Sequence, residues 1–170
     1  MKKQIWLIGL YLLAIVLANL SVFFFGVNAS ILNAFLFIGL DLTARDNLHE
    51  VWHKKGLFWK MSLLILSGSI ISYLLNQGML LITIASCVSF LIAGVVDFIT
   101  YFFMYKWNYL WKSNGSNIFS GATDSIVFPT IAFGGFIWWV TLGQFIAKVI
   151  GGFVWSLILK RFVNADIYRK

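Results

Sequence analysis

From Ile5 to Phe25 the chain is apolar except for Asn19 and Ser21, and this run has the ~20 residues needed to cross the hydrocarbon layer of a bilayer. Comparable runs recur from about Ile31 to Trp52, Leu57 to Asn76, Met79 to Tyr105, Ser116 to Phe133 and Leu142 to Phe162. Backbone amides in lipid must bond within their own segment, so runs of this length read as helices. The expected architecture is an all-α integral membrane protein with six transmembrane helices, residues 1–170 forming one transmembrane domain. Composition agrees. The chain is 61% hydrophobic and 11% charged, whereas soluble domains carry about 25% charged residues. One cysteine and one proline exclude a disulfide framework or a cysteine-rich metal site. Val27-Asn28-Ala29 has the form of a signal-peptidase site, but the apolar run before it is longer than a signal core, so an uncleaved first helix is expected.

The net charge of +7 could suggest nucleic acid, but the basic residues other than Arg45 and Lys148 cluster at the chain ends and in or beside particular turns. They fall at Lys2-Lys3, at Lys54, Lys55 and Lys60, at Lys106 and Lys112, and at the C-terminal end. The turns after helices 1, 3 and 5 have none. Positively charged loops stay on the cytoplasmic side, so both termini are expected there, in a multi-pass protein of the cytoplasmic (inner) membrane. Trp107, Tyr109 and Trp111 suit an interfacial aromatic belt. Helices 2 and 5 are each second in a group of three and each carries a mid-helix Asp. This hints at two inverted three-helix halves, a plan common among transporters.

The segment Ser116–Phe133 differs from the other runs. It holds Asn117, Ser120, Thr123, Asp124, Ser125, Thr130 and the sole proline, Pro129. A carboxylate at bilayer depth costs roughly 2.5–3.5 kcal/mol on insertion scales, so it faces a polar interior and usually has a task there. Pro129 cannot donate to the Ser125 carbonyl. With Gly121 and Gly134-Gly135 nearby, a broken helix lining a cavity is expected. Helical spacing puts Asn117, Ser120 and Asp124 on one face. Asp41, Arg45, Asp97 and Lys148 lie in other apolar runs and complete a set of buried charges. Asp41 and Arg45 can pair at i, i+4. Such a set can be a structural ion-pair network, a substrate site or a proton relay.

Two further motifs have modest content. His49-Glu50-Val51-Trp52-His53 matches the zinc-protease pattern H-E-x-x-H. No third ligand follows it, so no metal is expected between His49 and His53. Ala14 and Ala18 form a small-xxx-small pair on helix 1, able to dock a helix of this chain or of a partner.

Several blocks together resemble the bacterial queuosine-precursor transporters, also called the vitamin-uptake-like transporter family. They are Val16-Leu17-Ala18-Asn19-Leu20; Phe37 to Arg45 with its Asp-Leu-Thr-Ala-Arg; Ala85-Ser86 with Phe90 and Asp97; Ser116 to Phe133; and Gln144 to Lys148. The short chain, the His49–His53 segment and the Gly-Gly after Phe133 depart from the pattern. The resemblance implies uptake of a 7-deazaguanine base, 7-cyano- or 7-aminomethyl-7-deazaguanine, with no enzymatic activity and no cofactor. Its implied substrate-binding set is Asn19, Asp41, Arg45, Ser86, Phe90, Asp97, Asn117, Ser120, Asp124 and Lys148. In that picture Asp124 and Asn117 read the base edge, and Phe90 or Phe119 stacks on the ring. The implied partners are the small-molecule base and the lipid bilayer, with a homo-oligomer compatible and nucleic acid not involved. Three other functions compete: a substrate-binding subunit of a multi-component importer, a structural or pore-forming membrane protein without ligand, and an intramembrane metalloprotease.

Overall fold

The structure, a computed structural model, describes residues 2–52, 56–104 and 106–167. His53, Lys54 and Lys55 fall outside the described residues, and with them the test of that basic turn and of a His49–His53 pair. The elements are α1 (Lys2–Asn33), a π-helical turn (Ala34–Ile38), α2 (Gly39–Trp52), α3 (Leu57–Leu75), a short 3-10 turn (Gln77–Met79), α4 (Leu80–Phe103), α5 (Tyr109–Ala132) and α6 (Trp138–Ile167). No strand occurs among the described residues.

The first element is bent back on itself. Gly26 has φ 65° and ψ −154°, a conformation for which an L side chain is poorly suited, and it separates two helical limbs. Beyond the bend, Asn33 Nδ2 donates to the Ala18 carbonyl at 3.3 Å. On a straight helix those residues would lie roughly 22 Å apart, so the chain must reverse between them. The second limb runs through the π-helical turn into α2.

Among the described residues, four helical stretches are long and apolar enough to cross a membrane: Gln4–Trp52, Leu57–Leu75, Gln77–Phe103 and Trp138–Leu159. The sequence reading anticipated six, and the difference has two causes. Gln4–Trp52 is continuous by hydrogen bonding although it doubles back at Gly26. α5 carries too many hydroxyls, amides and charges to qualify by composition. Large apolar side chains point outward on the remaining helices, with Phe103 80% and Trp59 77% exposed. An apolar exterior of this extent suits lipid, not water.

The interior has an apolar part and a polar part. Leu7, Tyr11, Ala14, Ile15 and Ala18 of α1 pack with Leu42 and Leu48 of α2, Met61 and Ile65 of α3 and Phe90 of α4. Ala14 and Ala18 are thus spent inside this chain. Around α6 the helices close to backbone distance. A Cβ on Gly39 would lie 2.7 Å from the Gly151 carbonyl carbon, and one on Gly151 would lie 2.4 Å from the Phe35 oxygen. Thr43 Oγ1 also donates to the Gly152 carbonyl at 3.2 Å. This contact seats α2 and the π-helical turn on α6 and brings their polar residues to the bundle interior.

α5 corrects one expectation. It is a single helix from Tyr109 to Ala132, with Pro129 inside it. Pro129 lies in the last turn, so only one hydrogen bond is lost, and the Phe133 amide caps the Pro129 carbonyl at 2.9 Å. The breaks lie instead at Gly26 and at residues 34–38.

Candidate functional site

A small cleft opens between α1, the π-helical turn, α4, α5 and α6. Asn19, Ser30 and Asn33 enter from α1, and Ala34 and Ile38 from the π-helical turn. Ser86 and Phe90 come from α4, Asp124 and Phe128 from α5, and Gln144 and Lys148 from α6. π-helical turns recur at functional sites because the extra residue re-aims the side chains that follow.

The charged centre of this cleft is an ion pair. Lys148 Nζ lies 2.6 Å from Asp124 Oδ2, and both residues are buried. The ammonium also donates to Ser125 Oγ at 2.9 Å and to Gln144 Oε1 at 3.1 Å. The Ser89 hydroxyl donates to Asp124 Oδ1. Removing two charges from water costs several kcal/mol per ion, offset only where geometry is good and the remaining hydrogen-bonding capacity is filled. Ser89, Ser125 and Gln144 supply that filling. Two cleft atoms are left over: Asn33 Oδ1 and Ser86 Oγ are buried with no hydrogen-bond partner among the described residues. An unpaired buried polar atom costs about 1–3 kcal/mol, so it invites a partner.

A second polar cluster lies further along α2, α4 and α5. Arg45 Nη2 is 3.2 Å from Asp97 Oδ1 and donates to Ser120 Oγ at 3.1 Å. Asp46 Oδ2 accepts from Asn117 Nδ2 at 3.1 Å and from the Ser113 hydroxyl. His49 Nδ1 lies 3.6 Å from Asp97 Oδ2. At its margin Glu50 pairs with Lys112 and accepts from the Tyr101 hydroxyl. Asp41 is buried, its Oδ1 unpartnered among the described residues. It lies in electrostatic reach of both Arg45 and Lys148.

The expected site residues therefore divide. Asn19, Ser86, Phe90, Asp124 and Lys148 meet at the cleft. Arg45, Asp97, Asn117 and Ser120 meet in the second cluster. Asn117, Ser120 and Asp124 do share the buried face of α5, but each addresses a different neighbour. Three expectations need correction. Asn117 is engaged by Asp46 and does not line the cleft with Asp124. Arg45 turns to Asp97, not to Asp41, because α4 offers a carboxylate within reach of the guanidinium. Phe119 is 52% exposed on the outer face of α5, so it stacks on nothing in the cleft.

A family model described as "Putative vitamin uptake transporter" matches residues 5–162. The chain belongs to that family. No curated protein and no solved structure matches it. As an uptake transporter the molecule sits in a lipid bilayer and binds a small-molecule substrate. Sequence patterning assigns no role to Ser30, Asn33 and Gln144, which line the cleft, or to Ser89 and Ser125, which bond its ion pair. Gln144 could have been found, since it precedes Lys148 by one helical turn and shares its face. Asn33 could not, because its place depends on how the limb after Gly26 registers against Ala18, which helical period does not fix.

Proposed function

We propose that this transporter is a six-span carrier of the cytoplasmic membrane that imports a 7-deazaguanine precursor of queuosine, 7-cyano- or 7-aminomethyl-7-deazaguanine. The Gln4–Trp52 stretch is roughly 74 Å long if straight, more than twice the hydrocarbon thickness. Its reversal at Gly26 accounts for two spans. α5 is the sixth, its polar face turned to the bundle interior. The basic turns then place both termini in the cytoplasm, and helices 1–3 and 4–6 form two inverted halves.

The observation that carries the substrate reading is a buried carboxylate in a cleft beside an aromatic ring and unpaired polar atoms. A guanine-like base presents two adjacent donors, the ring N–H and the exocyclic amine. A carboxylate accepts such a pair in the way it accepts a bidentate guanidinium. Asp124 provides that carboxylate, with Lys148 as the counter-charge it holds between transport cycles. The Phe90 ring, 4% exposed and lining the cleft, offers a stacking surface. Asn33 Oδ1 accepts a further ligand N–H, and the Ser86 hydroxyl meets a ring acceptor. The burial of Ala14 and Ala18 leaves the multi-component importer without the docking pair that suggested it.

The test is uptake in a queuosine-auxotrophic cell lacking its own carrier, supplied with each precursor in turn. The proposal expects queuosine in tRNA only when this chain is expressed. No rescue by either precursor, with the protein present in the membrane, would remove the substrate assignment.

A further inference from the structure

The second cluster has a feature that substrate binding in the cleft does not use. Asp46, His49 and Asp97 bring one ligand atom each to within 4.8 Å of one another, and all three are buried. Asp46 and His49 are one turn apart on α2, and Asp97 arrives from α4. The H-E-x-x-H pattern offers His53 as a companion to His49; α2 itself supplies Asp46 at i, i+3, and the fold brings Asp97 from α4. We propose that Asp46, His49 and Asp97 bind one divalent transition-metal ion of the Zn2+ class, clasping α2 to α4 at the Trp52 end of α2.

Three observations support the site. The first is the division of each carboxylate. Asp46 Oδ2 is held by Ser113 and Asn117 while its Oδ1 has no hydrogen-bond partner among the described residues. Asp97 Oδ1 faces Arg45 while its Oδ2 faces His49. Metal-binding carboxylates are typically anchored in this way, one oxygen on an outer partner and the other on the ion. The second is His49 Nδ1, which is buried without a hydrogen-bond partner among the described residues and lies 3.6 Å from Asp97 Oδ2. Two ligands each about 2.1 Å from a tetrahedral ion sit roughly 3.4 Å apart, so little movement is needed.

The third is charge. Glu50 is matched by Lys112 and Asp124 by Lys148. Arg45 then faces both Asp46 and Asp97, and it shares Asp41 with Lys148. Buried carboxylates in excess of their counter-charges are costly, and a divalent cation removes the excess. One imidazole with two carboxylates suits a borderline ion better than Na+ or Mg2+, and three protein ligands leave a position for water.

The experiment uses the full chain, purified in detergent and stripped by chelator, then titrated with Zn2+ and separately with Co2+. One ion per chain is expected, with a Co2+ absorption spectrum of nitrogen and oxygen ligands and no thiolate band. His49→Gln and Asp46→Asn should each weaken Zn2+ binding at least tenfold, whereas His53→Ala should leave it unchanged. Both losses are read on monodisperse protein with a wild-type helical circular-dichroism spectrum. If either variant does not reach that state, the wild-type stoichiometry, the Co2+ spectrum and His53→Ala decide. No stoichiometric ion on the wild-type chain, a thiolate spectrum, or binding lost with His53→Ala would overturn the proposal.

Discussion

Two buried polar clusters lie along the inner face of α5 within a few turns of each other, and their charges are closed differently. At Asp124 one carboxylate meets one ammonium, and Ser89, Ser125 and Gln144 complete the pair. At Arg45 one guanidinium serves several carboxylates, and Asp46, His49 and Asp97 keep unsatisfied atoms. The first arrangement is stable empty, yet it can exchange a partner for a ligand of matching polarity. The second is electrostatically incomplete as it stands. A balanced pair inside a cleft reads as an exchangeable binding site, and an unbalanced cluster away from it reads as a place for a fixed cation.

The largest effect is expected where the imbalance is greatest. Arg45→Gln removes the guanidinium facing Asp97 and leaves the neighbouring acids unopposed. Breaking a buried pair from one side costs about 3–5 kcal/mol, and this variant should lie at the upper end. Thermal melting in detergent, or loss of folded protein from the membrane, is the check. A melting temperature near that of wild type would mean that the cluster is not charged as described.

Lys148→Met comes next, at about 3 kcal/mol, because it strands Asp124 alone but leaves Ser89 to solvate it. Here the two regions should part company. Adding Asp124→Asn should restore most of the lost stability, since a neutral, similarly shaped pair removes both desolvation penalties. The corresponding rescue of Arg45→Gln by Asp97→Asn should be partial, because Asp46 and Asp41 remain. Equal rescue in both regions would erase the distinction between them.

Which parts of this picture were legible in the sequence follows from the range of the interactions. Asp124, Asp97, Arg45, Asp41 and Lys148 stood out because a charge inside an apolar run is conspicuous at any position. The face shared by Asn117, Ser120 and Asp124 followed from helical period alone. Pairings did not follow, because they depend on how α2, α4, α5 and α6 rotate against one another. That rotation is set by contacts such as Gly39 on Gly151, where each glycine is locally unremarkable. The reversal at Gly26 falls in the turn expected between Phe25 and Ile31, but the π-helical turn at residues 34–38 was hidden, and so was the register that carries Asn33 to the cleft. Pro129 misled for the opposite reason, being conspicuous but placed too near the end of α5 to break it.

The smallest expected effect separates two phenylalanines. Phe90→Leu should weaken precursor binding several-fold, in line with the roughly 0.5–1.5 kcal/mol that a well-placed aromatic contact supplies. Phe119→Leu should leave binding unchanged, since that ring faces outward. Isothermal titration on both proteins is sufficient, and equal losses would show that neither ring contacts the base.

The central claim is that Asp124 anchors the substrate and is not merely a strut for Lys148. The double variant Asp124→Asn, Lys148→Met tests it most directly, because it removes the site without leaving a buried charge. Precursor affinity and melting temperature are measured on the same purified protein. The account predicts a melting temperature close to wild type and binding at least tenfold weaker, since an amide N–H now confronts the base where an oxygen accepted. A stable double variant that binds the precursor as tightly as wild type would contradict it and return Asp124 to a structural role.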